Sequence, residues 1–200
     1  ILDEKTDTQI FALLQVRPIL EETVDIDIDM SEVDRTRAIC MSSHALGNGV
    51  IDDIRDVVYI HPNRLDRMRT SNLTDHIEAI DAKLRAAGRP YLLIGPGRWG
   101  SSEPSLGVPV SWEQIRGAKA IIEVPMSDIH VEPSQGTHFF QNIVTFNIGY
   151  LTITADDMLD FDWLDKVDSE EEIGPLRHIG LKSPLKVVLD SRDSEASIPR

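Results

Sequence analysis

Apolar and polar positions along this chain change rhythm several times, and each change marks an expected element. Residues 10–17 are rich in strand formers and stop at Pro18, whose ring disfavours further regular pairing. Residues 24–30 alternate strictly, as an edge strand or a linker does. Residues 38–41 and 57–60 read as strands around a turn at Gly47, Asn48 and Gly49. The clearest helix is 72–87, where Leu73, Ile77, Ile80 and Leu84 share one face and Gly88 and Pro90 close it. Residues 91–94 form a short, wholly apolar run of the buried-strand type, and 118–124 read as another buried strand. A short helix is expected over 111–115, a second over 137–146, and a strand over 150–154.

Beyond that point the pattern weakens. Residues 156–172 hold nine acidic side chains against Lys166 alone, interleaved with Phe161, Trp163 and Leu164, and read as an exposed linker with a few apolar anchors. Residues 185–189 make a last strand, and 191–200 are expected to fray. Strands and helices alternate through the middle, which predicts an α/β fold with a mixed or largely parallel sheet and flanking helices.

Composition narrows the range of functions. The 200 residues carry a net charge of −14, which argues against binding a nucleic-acid backbone or an anionic membrane. Hydrophobic residues make up 41%, enough for a true core, yet no apolar run approaches the length of a membrane span. Cys40 is the only cysteine, so an internal disulfide is impossible. That fits a cytoplasmic setting and a buried, inert thiol. The chain starts within an apolar pattern and without Met, as a piece of a longer polypeptide does.

Candidate chemistry gathers in two places. The loop Gly95, Pro96, Gly97, Arg98, Trp99, Gly100, Ser101, Ser102 follows a buried strand, as phosphate loops do. Its glycines would let backbone N–H groups nest an anion, and Arg98 would add a forked contact. The alternative is a tight turn with Arg98 over Trp99. In the second place, Ser134, Gly136, Thr137 and His138 stand at an expected helix start, where unpaired N–H groups and the macrodipole favour a phosphate beside the imidazole. A histidine between Gly136 and the pair Phe139 and Phe140 fits a core residue or a plain cap equally well. The other histidines show no metal-ligand spacing, so no metal site is expected. Asp25, Asp27 and Asp29 begin like a calcium loop, but Met30 and Thr36 occupy the positions that need Gly and Glu.

The stretch FALLQVRP (residues 11–18) resembles the closing strand of the ATP-grasp nucleotide domain in phosphoenolpyruvate synthases and pyruvate phosphate dikinases. The resemblance implies that Gln15 and Arg17 face nucleotide phosphates. HALGNGVIDDIRDVVYI, YLLIGPGRWGSSEPSLGVPVSWEQI and PSQGTHFFQNIVTFNIGYLTI are similar to the C-terminal part of large bacterial proteins with a phosphoenolpyruvate/pyruvate-binding domain. The order of elements also resembles that family's swivelling phosphohistidine domain. The resemblance implies four regions: an ATP-grasp remnant (1–22), a linker (23–37), a phosphohistidine-like domain (38–154) and an acidic linker with a strand extension (155–200). It further implies a phosphotransferase fragment, inactive alone, with His138 as carrier and Thr137, Arg98 and the Gly95, Gly97, Gly100, Ser101 loop steadying the phosphoryl group. ATP and magnesium would serve the full-length protein, with none expected in this stretch. Its partner would be the rest of the same polypeptide. The family reads G-G-x-T-x-H where this chain has Thr137 directly before His138. The alternative function is a non-catalytic module that binds an anionic small molecule or a partner.

Overall fold

The computed structural model describes residues 2–3, 8–9, 37–64, 71–101, 103–126, 138–190 and 192–199. Gln15, Arg17, the three aspartates at 25–29, Ser134 and Thr137 lie outside the described residues. Near the N-terminus, β1 (Leu2–Asp3) and β2 (Thr8–Gln9) form a separate antiparallel pair.

The main sheet is α/β in character and mixed in direction. Its parallel block is β5 (Gly49–Ile60), β6 (Tyr91–Pro96), β9 (Ala118–Val124) and β10 (Gly149–Thr152), side by side in chain order. Between these strands run α1 (Ser71–Ala86), the short strands β7 (Arg98–Trp99) and β8 (Gly107–Val108), a 3₁₀ turn at Trp112–Ile115, and α2 (His138–Thr145). Parallel neighbours require such crossovers, because a tight hairpin only joins antiparallel strands. The helix expected at 72–87 is α1, and Leu73, Ile77, Ile80 and Leu84 are buried against Val58, Tyr91 and Leu93 of the sheet. Burying each such side chain is worth roughly 2 kcal/mol, which secures α1 on this face.

Antiparallel strands complete the sheet on either side. β13 (Leu176–Asp190) pairs with β5, β14 (Glu195–Pro199) with β13, and β3 (Ala38–Ser42) with β14. β11 (Met158–Leu159) flanks β3, and β12 (Ser169–Ile173) pairs with the first half of β13. At the other end of the order, β4 (His44–Leu46) pairs with β10. Only Ser43 separates β3 from β4, so one continuous segment lies next to one end of the order and at the other, and the sheet curls back toward itself. The Ser42 hydroxyl donates to the Thr152 carbonyl at 2.8 Å across that closure. Ile39, Cys40, Val57, Tyr59, Ile94, Ile122, Leu151, Ile179 and Val187 fill the inner side, with Leu164 of α3 (Phe161–Lys166) among them.

Three expectations change here. The strands either side of the Gly47–Gly49 turn are not neighbours: β14 and β13 lie between β3 and β5. The acidic stretch 156–172 is not an exposed linker but carries β11, α3 and β12. Four of its nine acids meet basic groups from elsewhere: Asp165 meets Arg64 and Arg177, Glu170 meets Arg89, Glu171 meets Lys83, and Glu172 meets Arg64 and Arg177. The tail does not fray, because β14 inserts between β3 and β13 with Ala196 and Ile198 fully buried.

Candidate functional site

The glycine loop leaves β6 at its carboxyl end, where open α/β sheets gather ligand sites. Trp99 is 1% exposed, and its indole lies against Gly95, where any Cβ would collide with the ring. Gly97 has φ +65° and faces the Leu106 carbonyl so closely that a side chain is excluded. Gly100 has φ +76°, and a Cβ there would come within 2.7 Å of Phe139 Cδ2. The backbone of His138 is the first residue of α2, one position before that ring. The structure therefore sets the Gly100 end of the loop beside the first turn of α2, while Ser134, Gly136 and Thr137 of the second candidate lie outside the described residues.

The loop's amides have other employment. Gly97 N–H donates to the Val124 carbonyl at 2.8 Å, Trp99 N–H to Glu123 Oε1 at 3.0 Å, and Gly100 N–H to the Val108 carbonyl at 2.9 Å. The expected anion nest at these positions is thus replaced by bonds that pin the loop to β9 and β8. Ser101 Oγ donates to the Glu103 carbonyl at 2.9 Å and accepts from Glu103 N–H at 3.2 Å, closing a local turn. Arg98 is half-buried on β7, pairing in register with Gly107.

Beneath the loop sits Glu123, 4% exposed near the end of β9. Its second oxygen accepts the Tyr150 hydroxyl at 2.5 Å, so one carboxylate ties the loop to both β9 and β10. The start of α2 is held by rings: Phe139 meets Trp112 edge-on at 6.0 Å, and Phe140 meets Tyr150 edge-on at 5.8 Å. Glu123 was missed from the sequence, although an acid inside the apolar run Ile121, Ile122, Val124 was the signal.

A second polar cluster lies at the amino-terminal end of β6. Asp56, fully buried on β5, accepts two bonds from Arg89 (Nε at 2.9 Å, Nη2 at 2.6 Å) and sits 2.7 Å from His178 Nε2. Glu170 joins through Arg89 Nη2 at 3.2 Å. Among the described residues, Asp56, Glu170 and His178 are grouped closely enough to hold a metal ion, with donor atoms within 4.8 Å of one another. Spacing rules gave no hint, because the donors come from three strands.

A third cluster links β5 to α3. Arg177 Nη1 donates to Tyr59 Oη at 2.5 Å, and the Tyr59 hydroxyl donates to Asp165 Oδ1 at 2.8 Å. Burial, with the Asp165 carboxylate second, pushes the Tyr59 phenol well above its usual range. Its aromatic and charged groups lock α3 against the sheet, a structural task.

Cys40 is fully buried, and burial, helped by Asp157, pushes its thiol up to about 12, as an inert core cysteine requires. No helix among the described residues is long and apolar enough to cross a membrane. No protein-family model, curated protein or solved structure matches the chain.

Proposed function

We propose that this chain relays a phosphoryl group through His138, as the phosphohistidine domain of a phosphoenolpyruvate-synthase-like phosphotransferase does. The observation that carries the reading is the contact of Gly100 with Phe139, which sets the Arg98 loop beside the first turn of the helix that His138 opens. In the step proposed, a ring nitrogen of His138 attacks phosphorus, the bond to the donor's bridging oxygen breaks, and the ring gives up a proton. Charge on the phosphoryl oxygens would be met by the first N–H groups of α2 and by the Arg98 guanidinium, not by the loop amides already bonded to Val124, Glu123 and Val108. ATP and magnesium belong to the proposal through the resemblance of residues 11–18. Gln15 and Arg17 lie outside the described residues, and no step is routed through them.

The test is phosphate incorporation from ATP with magnesium, and from phosphoenolpyruvate, into the full-length polypeptide. The expected product is acid-labile, base-stable and absent in His138→Ala. Label retained by that variant refutes the carrier role. In the second reading, a module that binds an anionic ligand or a partner, Arg98 carries the contact, since the loop's glycines and Ser101 are engaged in packing and turns. Calorimetry with phosphate, ATP and phosphoenolpyruvate separates the two, since binding lost in Arg98→Ala without any labelling supports the module.

A further inference from the structure

We propose that His178 and Glu170 bind one divalent transition-metal ion of the zinc class, with Asp56 supporting the imidazole from behind. The site lies at the amino-terminal end of β6, beside the pairing of Asp56 with Tyr91, and is independent of the phosphoryl-relay reading.

The argument starts with the ring. Asp56 Oδ1 is 2.7 Å from His178 Nε2, and a carboxylate only accepts hydrogen bonds. In the neutral ring Nε2 therefore carries the hydrogen, and Nδ1 presents its lone pair. Nδ1 is fully buried and has no hydrogen-bond partner. It faces Glu170 Oε2 at 3.9 Å. A buried lone pair and the partly exposed carboxylate oxygen it faces repel one another unless a positive centre stands between them. Two ligand atoms about 2.0–2.2 Å from one tetrahedral ion lie roughly 3.3–3.6 Å apart, so the Glu170 carboxylate, at 3.9 Å, has only to draw in by a few tenths of an ångström to share a single metal with Nδ1.

The surroundings fit as well. A ligating histidine characteristically donates its far N–H to a carboxylate, which fixes the tautomer and raises ligand basicity; Asp56 stands in that place. Arg89 makes two bonds to Asp56 and one to Glu170 Oε1, balancing the first carboxylate and turning Oε2 of the second toward the ring. Gly180 leaves the space that the Glu170 carboxylate fills, because a Cβ there would strike Oε1. Glu170 is 39% exposed, which gives an ion a way in and leaves water to complete its coordination. One imidazole and one carboxylate suit Zn²⁺ or Co²⁺ better than Mg²⁺ or Ca²⁺, which prefer all-oxygen ligands. Bound there, the ion would staple β12 to β13.

Chelator-treated protein is titrated with Zn²⁺ by calorimetry and with Co²⁺ by visible absorption. One equivalent is expected to bind, with a rise in thermal midpoint. His178 is buried, and its replacement endangers the fold. Glu170→Gln and Gly180→Ala, checked by circular dichroism, are the decisive variants. Glu170→Gln removes a ligand, and Gly180→Ala displaces the carboxylate without touching one. Each is expected to weaken binding by about tenfold or more. Absence of saturable binding below about 1 mM, the weak end of specific affinities, overturns the proposal. So does undiminished affinity in both variants, which assigns the ion to other histidines.

Discussion

Replacing Glu123 tests how the loop is held. Its two oxygens accept Trp99 N–H at 3.0 Å and the Tyr150 hydroxyl at 2.5 Å, in a position 4% exposed. Glu123→Ala removes the carboxylate that both buried donors bond to, at about 1–3 kcal/mol each. Removing a buried carboxylate also returns part of its desolvation cost, so the net loss is set near 3 kcal/mol. Glu123→Gln keeps the shape: its carbonyl accepts Trp99 N–H and its amide donates to the Tyr150 oxygen. The loss there is only the extra strength of a charged acceptor, about 1 kcal/mol. In a domain of this size those values correspond to thermal-midpoint drops of roughly 6–12 °C and 2–4 °C. Urea unfolding followed by tryptophan fluorescence suits the question, since Trp99 is itself the loop residue held by the carboxylate. Equal losses for Ala and Gln, or a loss below about 1 kcal/mol for Ala, would refute the idea that Glu123 pins the loop by two hydrogen bonds.

Three other outcomes follow from the structure. Burial works to raise the Asp157 carboxyl, but bonds from Thr154 and Ser43 outweigh it and hold the group below its ordinary 3.8. A folded value lowered in this way adds stability that is complete above pH 3.8 and is lost as pH falls through the folded value. Acid titration of Asp157→Asn should therefore show a shallower low-pH limb than the parent; an identical limb counts against the assignment. Cys40 should resist a thiol reagent in native buffer and react fully in urea, and rapid native labelling would show that the core opens around β3. Deleting residues 176–200 removes β13 and β14, which hold β5 to β3, so the truncated chain should lose its cooperative unfolding transition by circular dichroism. A truncated chain that melts like the parent would return the C-terminal region to the status of an appendage.

The sequence by itself determined the elements whose signal is local. The helical face of Leu73, Ile77, Ile80 and Leu84, the apolar run of β6 and the mostly apolar β9 report burial through a pattern readable within one element. The short turn before Ile115 was also legible, and Ser111 N–H does bond to Gln114 Oε1 at 2.9 Å. The loop and the helix start of His138 were legible as separate candidates, since glycine clusters and cap residues act over a few positions. Tertiary structure alone decided the rest. It set β13 between β5 and β14, because strand pairing is chosen by surfaces far apart in the chain. The acids of 156–172 became part of the fold because cations at 64, 83, 89 and 177 converge on them, and charge compensation has no sequence period. The loop's glycines turned out to accommodate Trp99, the Leu106 carbonyl and Phe139, atoms that only packing brings near. Asp56, Arg89, Glu170 and His178 likewise meet only when the sheet forms, because a buried charge finds its partners in space and not along the chain.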